Sequence, residues 1–313
     1  MRPIRVGIVG VGKIARDHHI PSLLANPSFQ FTAACSRNAQ TPGVRNFRSA
    51  SEMLAALPEL DAVAICTPPQ LHYEEARLAL AEGKHVLLEK PPCTSLLQLK
   101  HLESIAAHHS VTLYQAWHSQ HARGVAAAVQ LLQKCKLKSV RITWKEDVRM
   151  WHPGQTWIWE AGGFGVFDIG INALSILARL IEEPIFARSA ILYIPANRET
   201  PIAASVLLGS ASGVEIHLEV DFRHTGTQTW DIDMDTDGGT LKLSAGGSRF
   251  SEDSAPVPVE ENTLASEYRS IYRRFADLVA HKRAEVDARP LQLVADIFLI
   301  ARRIIVEPFA DAA

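Results

Sequence analysis

Ile4 to Val9 reads as a buried strand, and it runs directly into Gly10-Val11-Gly12-Lys13-Ile14-Ala15 ahead of a helix-compatible segment. This G-x-G-x-x-A pattern constrains the fold more than any other stretch. The first glycine permits a tight strand-to-helix turn, the second lets a pyrophosphate approach the backbone, and a small third residue lets helix pack on strand. The pattern alone is weak. Its context strengthens it, because a second strand, Phe29 to Cys35, follows at βαβ distance. The alternative is a glycine turn with no ligand. The sequence favours a dinucleotide site, with Gly10, Gly12, Lys13 and Ile14 assigned to the coenzyme.

The residues after the second strand bear on which coenzyme that is. An acidic residue there holds a ribose 2′-hydroxyl in NAD sites, whereas this chain reads Cys35-Ser36-Arg37-Asn38. No carboxylate repels a 2′-phosphate, and Ser36 and Arg37 can donate hydrogen bonds to one. NADP is the expected preference, with NAD also used.

Further elements alternate. Glu52 to Leu57 reads as a helix, Asp61 to Cys66 as a strand, Leu71 to Glu82 as a helix ending at Gly83, and His85 to Leu88 as a strand. A helix over Ser95 to His108 and a strand over Val111 to Trp117 complete the unit. Such alternation predicts an α/β domain with a doubly wound parallel sheet, bounded near residue 118. Thr67-Pro68-Pro69 follows a strand's carboxyl end, where open α/β sheets bind ligands, so Thr67 and Pro68 are candidates for the coenzyme wall.

Val86 to Pro92, VLLEKPP, sends a short apolar strand into Glu89, Lys90 and two prolines. Proline biases the preceding Lys90 toward extended backbone and limits the turn, so the ammonium is aimed in a fixed direction. Lys90 thereby shares the carboxyl edge with the glycine loop and Thr67. The alternative is a strand-end lysine whose head reaches water.

After a helix over Ala122 to Lys134, strands dominate: Ser139 to Val148, Ile185 to Ile194, Ile202 to Leu208, Val214 to Phe222, Thr227 to Met234 and Thr240 to Leu243. Asp237-Gly238-Gly239 signals the turn between the last two. Strands in succession predict a mostly antiparallel open sheet, hence an α+β domain over residues 119–313. Two closing helices are expected, Leu264 to His281 and Pro290 to Val306.

Between the strands, Val166 to Leu180 is apolar almost all round and should be a buried helix. Asp168 and Asn172 stand four apart and share one of its faces. A carboxylate in such a helix needs partners or a polar pocket, unless it merely caps the helix start. All six tryptophans lie from Trp117 onward, and Trp144, Trp151, Trp157 and Trp159 crowd around Glu146, Asp147, Met150 and His152. Aromatic walls with interspersed carboxylates and imidazoles suit a sugar ring, although tryptophans more often fill cores. Glu146, Trp151 and His152 are the preferred sugar contacts, with His118, Met150 and Trp230 added as candidates.

Composition excludes other classes. Of 313 residues, 47% are hydrophobic and 21% charged, with a net charge of −2, so neither disorder nor binding to nucleic acid is expected. No stretch reaches the roughly 18 apolar residues of a membrane span, and the N-terminus lacks a signal peptide's continuous apolar run. The four cysteines have no C-x-x-C spacing and the thirteen histidines form no metal pattern. A cytoplasmic protein with free buried thiols and no metal is expected.

Taken together, GIVGVGKIA, ICTPPQLHYEEARLALAEGKHVLLEKPP and GGFGVFDIGINALSIL resemble the glucose-fructose oxidoreductase/inositol dehydrogenase/MocA family, across essentially the whole chain. WKEDVRMWHPGQTWIW and PLQLVADIFLIARR are similar to its bacterial D-galactose and L-arabinose 1-dehydrogenases. The resemblance implies a Rossmann domain joined to an α+β domain, with sugar bound between them and oxidised at the anomeric carbon to an aldonolactone. In the wider family a histidine stands four residues after the aspartate. Here that place is Asn172, which cannot relay a proton and is what the sugar 1-dehydrogenases carry.

The expected assignments are Lys90 hydrogen-bonding the reacting hydroxyl and stabilising its developing negative charge, Asp168 taking the proton directly or through Lys90, and Asn172 orienting the sugar. Glu89 joins Lys90 among the expected coenzyme contacts. The alternatives are a same-fold oxidoreductase acting on a ring hydroxyl and a non-catalytic sugar- or NADP-sensing regulator. The open second sheet predicts a homodimer.

Overall fold

The computed structural model describes residues 2–259 and 263–310. The first part of the chain forms β1 (Ile4–Val9), a wide turn of helix over Ala15–His19, α1 (Ile20–Leu24), β2 (Phe29–Cys35), β3 (Arg45–Phe47), α2 (Ala50–Ala56), β4 (Ala62–Ile65), α3 (Pro69–Ala81), β5 (His85–Leu88), α4 (Leu96–His108) and β6 (Leu113–Gln115). The middle forms α5 (Arg123–Leu132), β7 (Leu137–Lys145), α6 (Val148–Trp151), α7 (Phe167–Leu180), β8 (Ile185–Pro195), β9 (Ala203–Ser210), β10 (Glu215–Asp221), β11 (Thr229–Thr236), β12 (Gly239–Ser244), β13 (Arg249–Glu252) and β14 (Ala255–Val257). Helices α8 (Leu264–His281) and α9 (Arg289–Ile300) and strand β15 (Arg302–Val306) close it.

One compact unit comprises Met1–His118 and Leu264–Ala288. Its six strands are parallel in the order β3-β2-β1-β4-β5-β6, the doubly wound arrangement expected. The central strands are buried on both faces, which is why β4 reads as the unbroken run Ala62–Ile65. Polar N-caps start two of the covering helices: Ser49 accepts from the Glu52 N–H and Ser95 from the Gln98 N–H.

Helix α8 belongs to this unit, although the sequence reading grouped it with the second domain. Tyr268, Ile271, Tyr272, Phe275 and Leu278 recur at helical spacing, and all are buried with Val6, Ile8, Ala62, Ala64, Leu87 and Tyr114. The Phe275 ring stacks on Phe29 at 6.0 Å and on Tyr114 at 6.3 Å. Each such side chain contributes roughly 1.5–3 kcal/mol on burial, which outweighs the distance of α8 along the chain. Past α8, Glu285 pairs with Tyr114 and its carbonyl accepts the Gln115 N–H, finishing the β6 edge.

The other unit comprises Ser119–Thr263 and Arg289–Ala313. Its nine strands run β14-β13-β12-β11-β7-β10-β9-β8-β15. The pairs β7/β10 and β8/β15 are parallel and the rest antiparallel. Val140, Ile142, Trp144, Ile216, Leu218, Val220, Ile232 and Met234 alternate into the core, and the residues between them are more exposed. Helix α7 packs with α5, α9 and β7, and from Phe167 to Ala178 only Asn172 is not buried.

The helix expected over Pro290 to Val306 is corrected here. It ends at Ile300, and Arg302–Val306 pairs in parallel with β8 from Arg302↔Ile191 to Val306↔Pro195. The run Ile304-Ile305-Val306 is β-branched, and β-branched side chains suit a pleated surface better than a helix.

Candidate active site

In the first unit, the glycine loop separates two kinds of requirement. Gly10 has φ +90°, and a Cβ there would lie 2.6 Å from the Thr67 nitrogen and 2.7 Å from the Cys66 carbonyl carbon. Its bare backbone is demanded by the protein's own packing. A Cβ on Gly12 would meet nothing within 4 Å. No protein neighbour requires glycine there, which fits the close approach of a ligand phosphate. Ala15 is fully buried, as helix-on-sheet packing requires. The residues therefore fit a dinucleotide. Lys13 forms an ion pair with Asp17 one turn on, and Ile14 packs partly buried against the core.

At the end of β2, the Ser36 hydroxyl accepts the N–H groups of Asn38 and Ala39, while Arg37 is exposed. Across from it, Thr67 donates to Glu75 at 2.5 Å. Burial raises the Glu75 carboxyl's pKa, and the Thr67 hydrogen bond and Arg37 charge oppose this only in part. His72 is fully buried, with Nε2 2.6 Å from the Thr67 carbonyl oxygen and Nδ1 2.9 Å from that of Pro91. It ties the Thr67-Pro68 turn to the loop carrying Lys90, and burial lowers its pKa.

Lys90 lies two residues beyond β5 and is half-buried, and the Lys90–Pro91 peptide is cis. The Glu89 side chain turns inward. Its Oε1 accepts from Tyr268 at 2.7 Å and from His19 Nε2 at 2.9 Å, and its Oε2 accepts the Lys90 N–H at 2.9 Å. Tyr272 bonds the other His19 nitrogen at 2.8 Å. Burial pushes the Glu89 carboxyl up, but the hydrogen bonds of His19 and Tyr268 and the charges of His19 and His118 overcome it and hold it down to about 2. Glu89 thus anchors the Lys90 backbone. His118 belongs to this unit too, with Nδ1 2.9 Å from Glu267 and its ring stacked on Tyr268 at 5.8 Å.

In the second unit, β7 delivers Glu146 just past its end, and α6 turns His152 back toward it. Glu146 is buried; its Oε1 lies 3.0 Å from His152 Nε2, and its Oε2 accepts Trp230 Nε1–H at 2.9 Å. Trp151 meets Trp230 edge-on at 5.1 Å, and Met150 is exposed nearby in sequence. Asp168, buried in the first turn of α7, places Oδ2 3.8 Å from His152 Nδ1. One cluster therefore gathers Glu146, Trp151, His152, Asp168 and Trp230. Trp144 and Trp159 are core residues, at 3% and 4% exposure.

Sequence reasoning did not reach His19, His72, Glu75, Glu267, Tyr268 or Tyr272. The one local signal was a histidine on an apolar helix face, as His72 is beside Ala76 and Ala79. Burial raises the thiols of Cys35 to about 11 and Cys93 to about 12, so they carry no reactive thiolate. Among the described residues, no cluster of three or more His, Cys, Asp or Glu is placed to hold a metal, and no helix is long and apolar enough to cross a membrane.

A parallel sheet ordered in this way, with a glycine loop fitted to a pyrophosphate, defines a dinucleotide-binding Rossmann fold, and residues 4–116 match the oxidoreductase family with an NAD-binding Rossmann fold. The chain belongs to that family, the glucose-fructose oxidoreductase/inositol dehydrogenase/MocA group. It is 44% identical over 315 residues to a galactose 1-dehydrogenase of Pseudomonas fluorescens, covering 99% of this chain and 100% of the relative. It is 46% identical to the crystal structure of a D-galactose-1-dehydrogenase from Rhizobium etli, with a TM-score of 0.93 and 99% of both chains covered. A 3-ketoreductase of Actinomadura kijaniata, solved with NADP and TDP-benzene, shares the fold at 22% identity, with a TM-score of 0.83 over 97% of this chain and 99% of that one.

Proposed function

We propose that the chain is an NAD(P)-dependent aldose 1-dehydrogenase that oxidises the anomeric carbon of D-galactose, L-arabinose or both to the aldonolactone. The observation that carries this is end-to-end similarity, at 44% identity, to a protein named for galactose oxidation. The buried Glu146 between His152 and Trp230, with Asp168 beside them, supports a sugar-binding role.

The coenzyme, NADP in preference to NAD, would be held by Gly10, Gly12, Lys13 and Ile14 at its pyrophosphate, by Ser36 and Arg37 at its 2′-phosphate, and by Thr67, Pro68 and the Glu89-Lys90 segment. It supplies the hydride acceptor. Lys90 hydrogen-bonds the reacting hydroxyl and stabilises negative charge on its oxygen, Asp168 takes the proton, and Asn172 orients the sugar. Glu146, His152, Trp151, Met150, Trp230 and His118 contribute the remaining sugar contacts. A cytoplasmic homodimer joined through the second sheet accompanies this reading, supported by exposed Phe186 on β8 and Ile305 on β15.

The test is NADPH formation with a panel of aldoses, followed by identification of the product. A lactone supports oxidation at C1. A keto-sugar would transfer the assignment to a ring hydroxyl, and no turnover with any aldose would favour a sensing role.

A further inference from the structure

In the second unit, His152 Nδ1 is buried and has no hydrogen-bond partner among the described residues. Orphaned buried nitrogens are uncommon and cost about 1–3 kcal/mol each, so this one calls for a physical reason. Its nearest carboxylate is Asp168, at 3.8 Å.

The other ring nitrogen defines the tautomer. Glu146 Oε1, 3.0 Å from Nε2, is a carboxylate oxygen and accepts, so Nε2 carries a proton. Glu146 is itself held by Trp230, whose indole N–H only donates. In the neutral imidazole the lone pair therefore sits on Nδ1, on the side of Asp168. Asn172, one helical turn beyond Asp168, has an amide that cannot carry a proton.

We infer that His152 is the proton relay for Asp168, an imidazole supplied from the segment after α6 rather than from α7 itself. The inference rests on the proposed dehydrogenase reading, in which Asp168 takes the hydroxyl proton as hydride leaves C1. The proton then passes from the Asp168 carboxyl to His152 Nδ1, which restores the carboxylate. The resulting imidazolium lies between two carboxylates, Glu146 on Nε2 and Asp168 on the Nδ1 side. With 16% of its side chain exposed, His152 can return the proton to water. The 3.8 Å separation is longer than a hydrogen bond, and such catalytic contacts tighten when substrate is bound. His152 acts through Asp168 and is a positioning and relay residue.

Three measurements test this. In the unsubstituted protein, 15N NMR of the histidine rings should show His152 protonated on Nε2 and bare on Nδ1; a proton on Nδ1 in the neutral ring overturns the relay whatever the turnover. His152→Ala should lower kcat about 10- to 100-fold, the scale of a lost proton-transfer group, with coenzyme affinity unchanged. Added imidazole should restore part of that loss saturably, and His152→Gln, which fills the space, should not respond. If folded His152→Ala keeps its kcat and loses only sugar affinity, or is not rescued, His152 is a sugar contact alone. Failure of the unsubstituted protein to oxidise any aldose counts instead against the dehydrogenase reading.

Discussion

Tyr268 on α8 donates its phenol hydrogen to Glu89, the neighbour of Lys90, across 179 positions of sequence. Glu89 in turn accepts the Lys90 backbone N–H. A residue near the end of the chain thereby helps set the loop that presents the lysine. Tyr268→Phe removes one hydrogen bond to a buried charge, worth about 1.5–3 kcal/mol. Urea unfolding should show a loss of that order with an unchanged slope, and an unaltered midpoint would show that the bond contributes nothing.

The same carboxylate makes stability depend on acid. Glu89 titrates at about 2 in the folded protein, against 4.5 for an unperturbed glutamate. Its contribution is therefore fully present above pH 4.5 and is lost as pH falls toward 2, with a size on the order of 3 kcal/mol. Asp61, whose burial is outweighed by Arg2 and Arg5 and which also sits at about 2, adds a loss in the same direction. Glu89→Gln should flatten the acid limb of a stability-against-pH curve and leave the Asp61 part. Superimposable curves would remove Glu89 from this account.

Arg37 is exposed at the end of β2 with no aspartate or glutamate beside it in sequence. A charge-assisted bond to a 2′-phosphate is worth about 1.5–3 kcal/mol, so Arg37→Ala should lower the NADP to NAD ratio of kcat/KM by roughly ten- to a hundredfold. Steady-state kinetics with both coenzymes decides it. An unchanged ratio would return the preference to NAD or to neither.

Asp168→Ala should reduce kcat by about 10² to 10⁴, the usual contribution of a positioned base, with little effect on coenzyme binding. Lys90→Ala should likewise cost kcat more than sugar affinity. Fluorescence titration with the reduced coenzyme separates binding from turnover. Near-normal kcat in either variant rejects that residue's chemical role.

Trp230→Phe keeps an aromatic ring but leaves Glu146 Oε2 without its donor. An unpaired buried acceptor costs about 1–3 kcal/mol. The variant should lose stability on that scale and raise the sugar KM several-fold, both measurable on one preparation. A rise in KM without any loss of stability would mean that the freed oxygen finds another partner.

Local pattern made much of this legible. The βαβ spacing located β1, β2 and β5 to the residue, because each is a short, largely apolar run whose signal needs no partner to be read. The crowding of Glu146, Trp151 and His152 within a few residues made that part of the cluster visible as well. Other features depend on pairing across long separations. The run after Ile300 looked helical because α9 precedes it without a break, and only the edge of β8 makes it a strand. The inward partners of Glu89, His19 and Tyr268, were not legible because nothing near it in sequence announces them. Trp144 and Trp230 look alike in sequence and pair directly across β7 and β11 on one face of the sheet, yet Trp144 is buried and Trp230 only partly so.

The detour that α8 makes has a consequence for biogenesis. When the ribosome has made the first 118 residues, Glu89 has no phenol to bond, and Phe29 and Tyr114 have no Phe275 to stack against. The coenzyme-binding lobe must wait, unfinished, while the whole of the second lobe's sheet except β15 is synthesised. A truncated polypeptide ending there should show weak near-ultraviolet dichroism, and a peptide spanning 264–288 should sharpen it when added in trans.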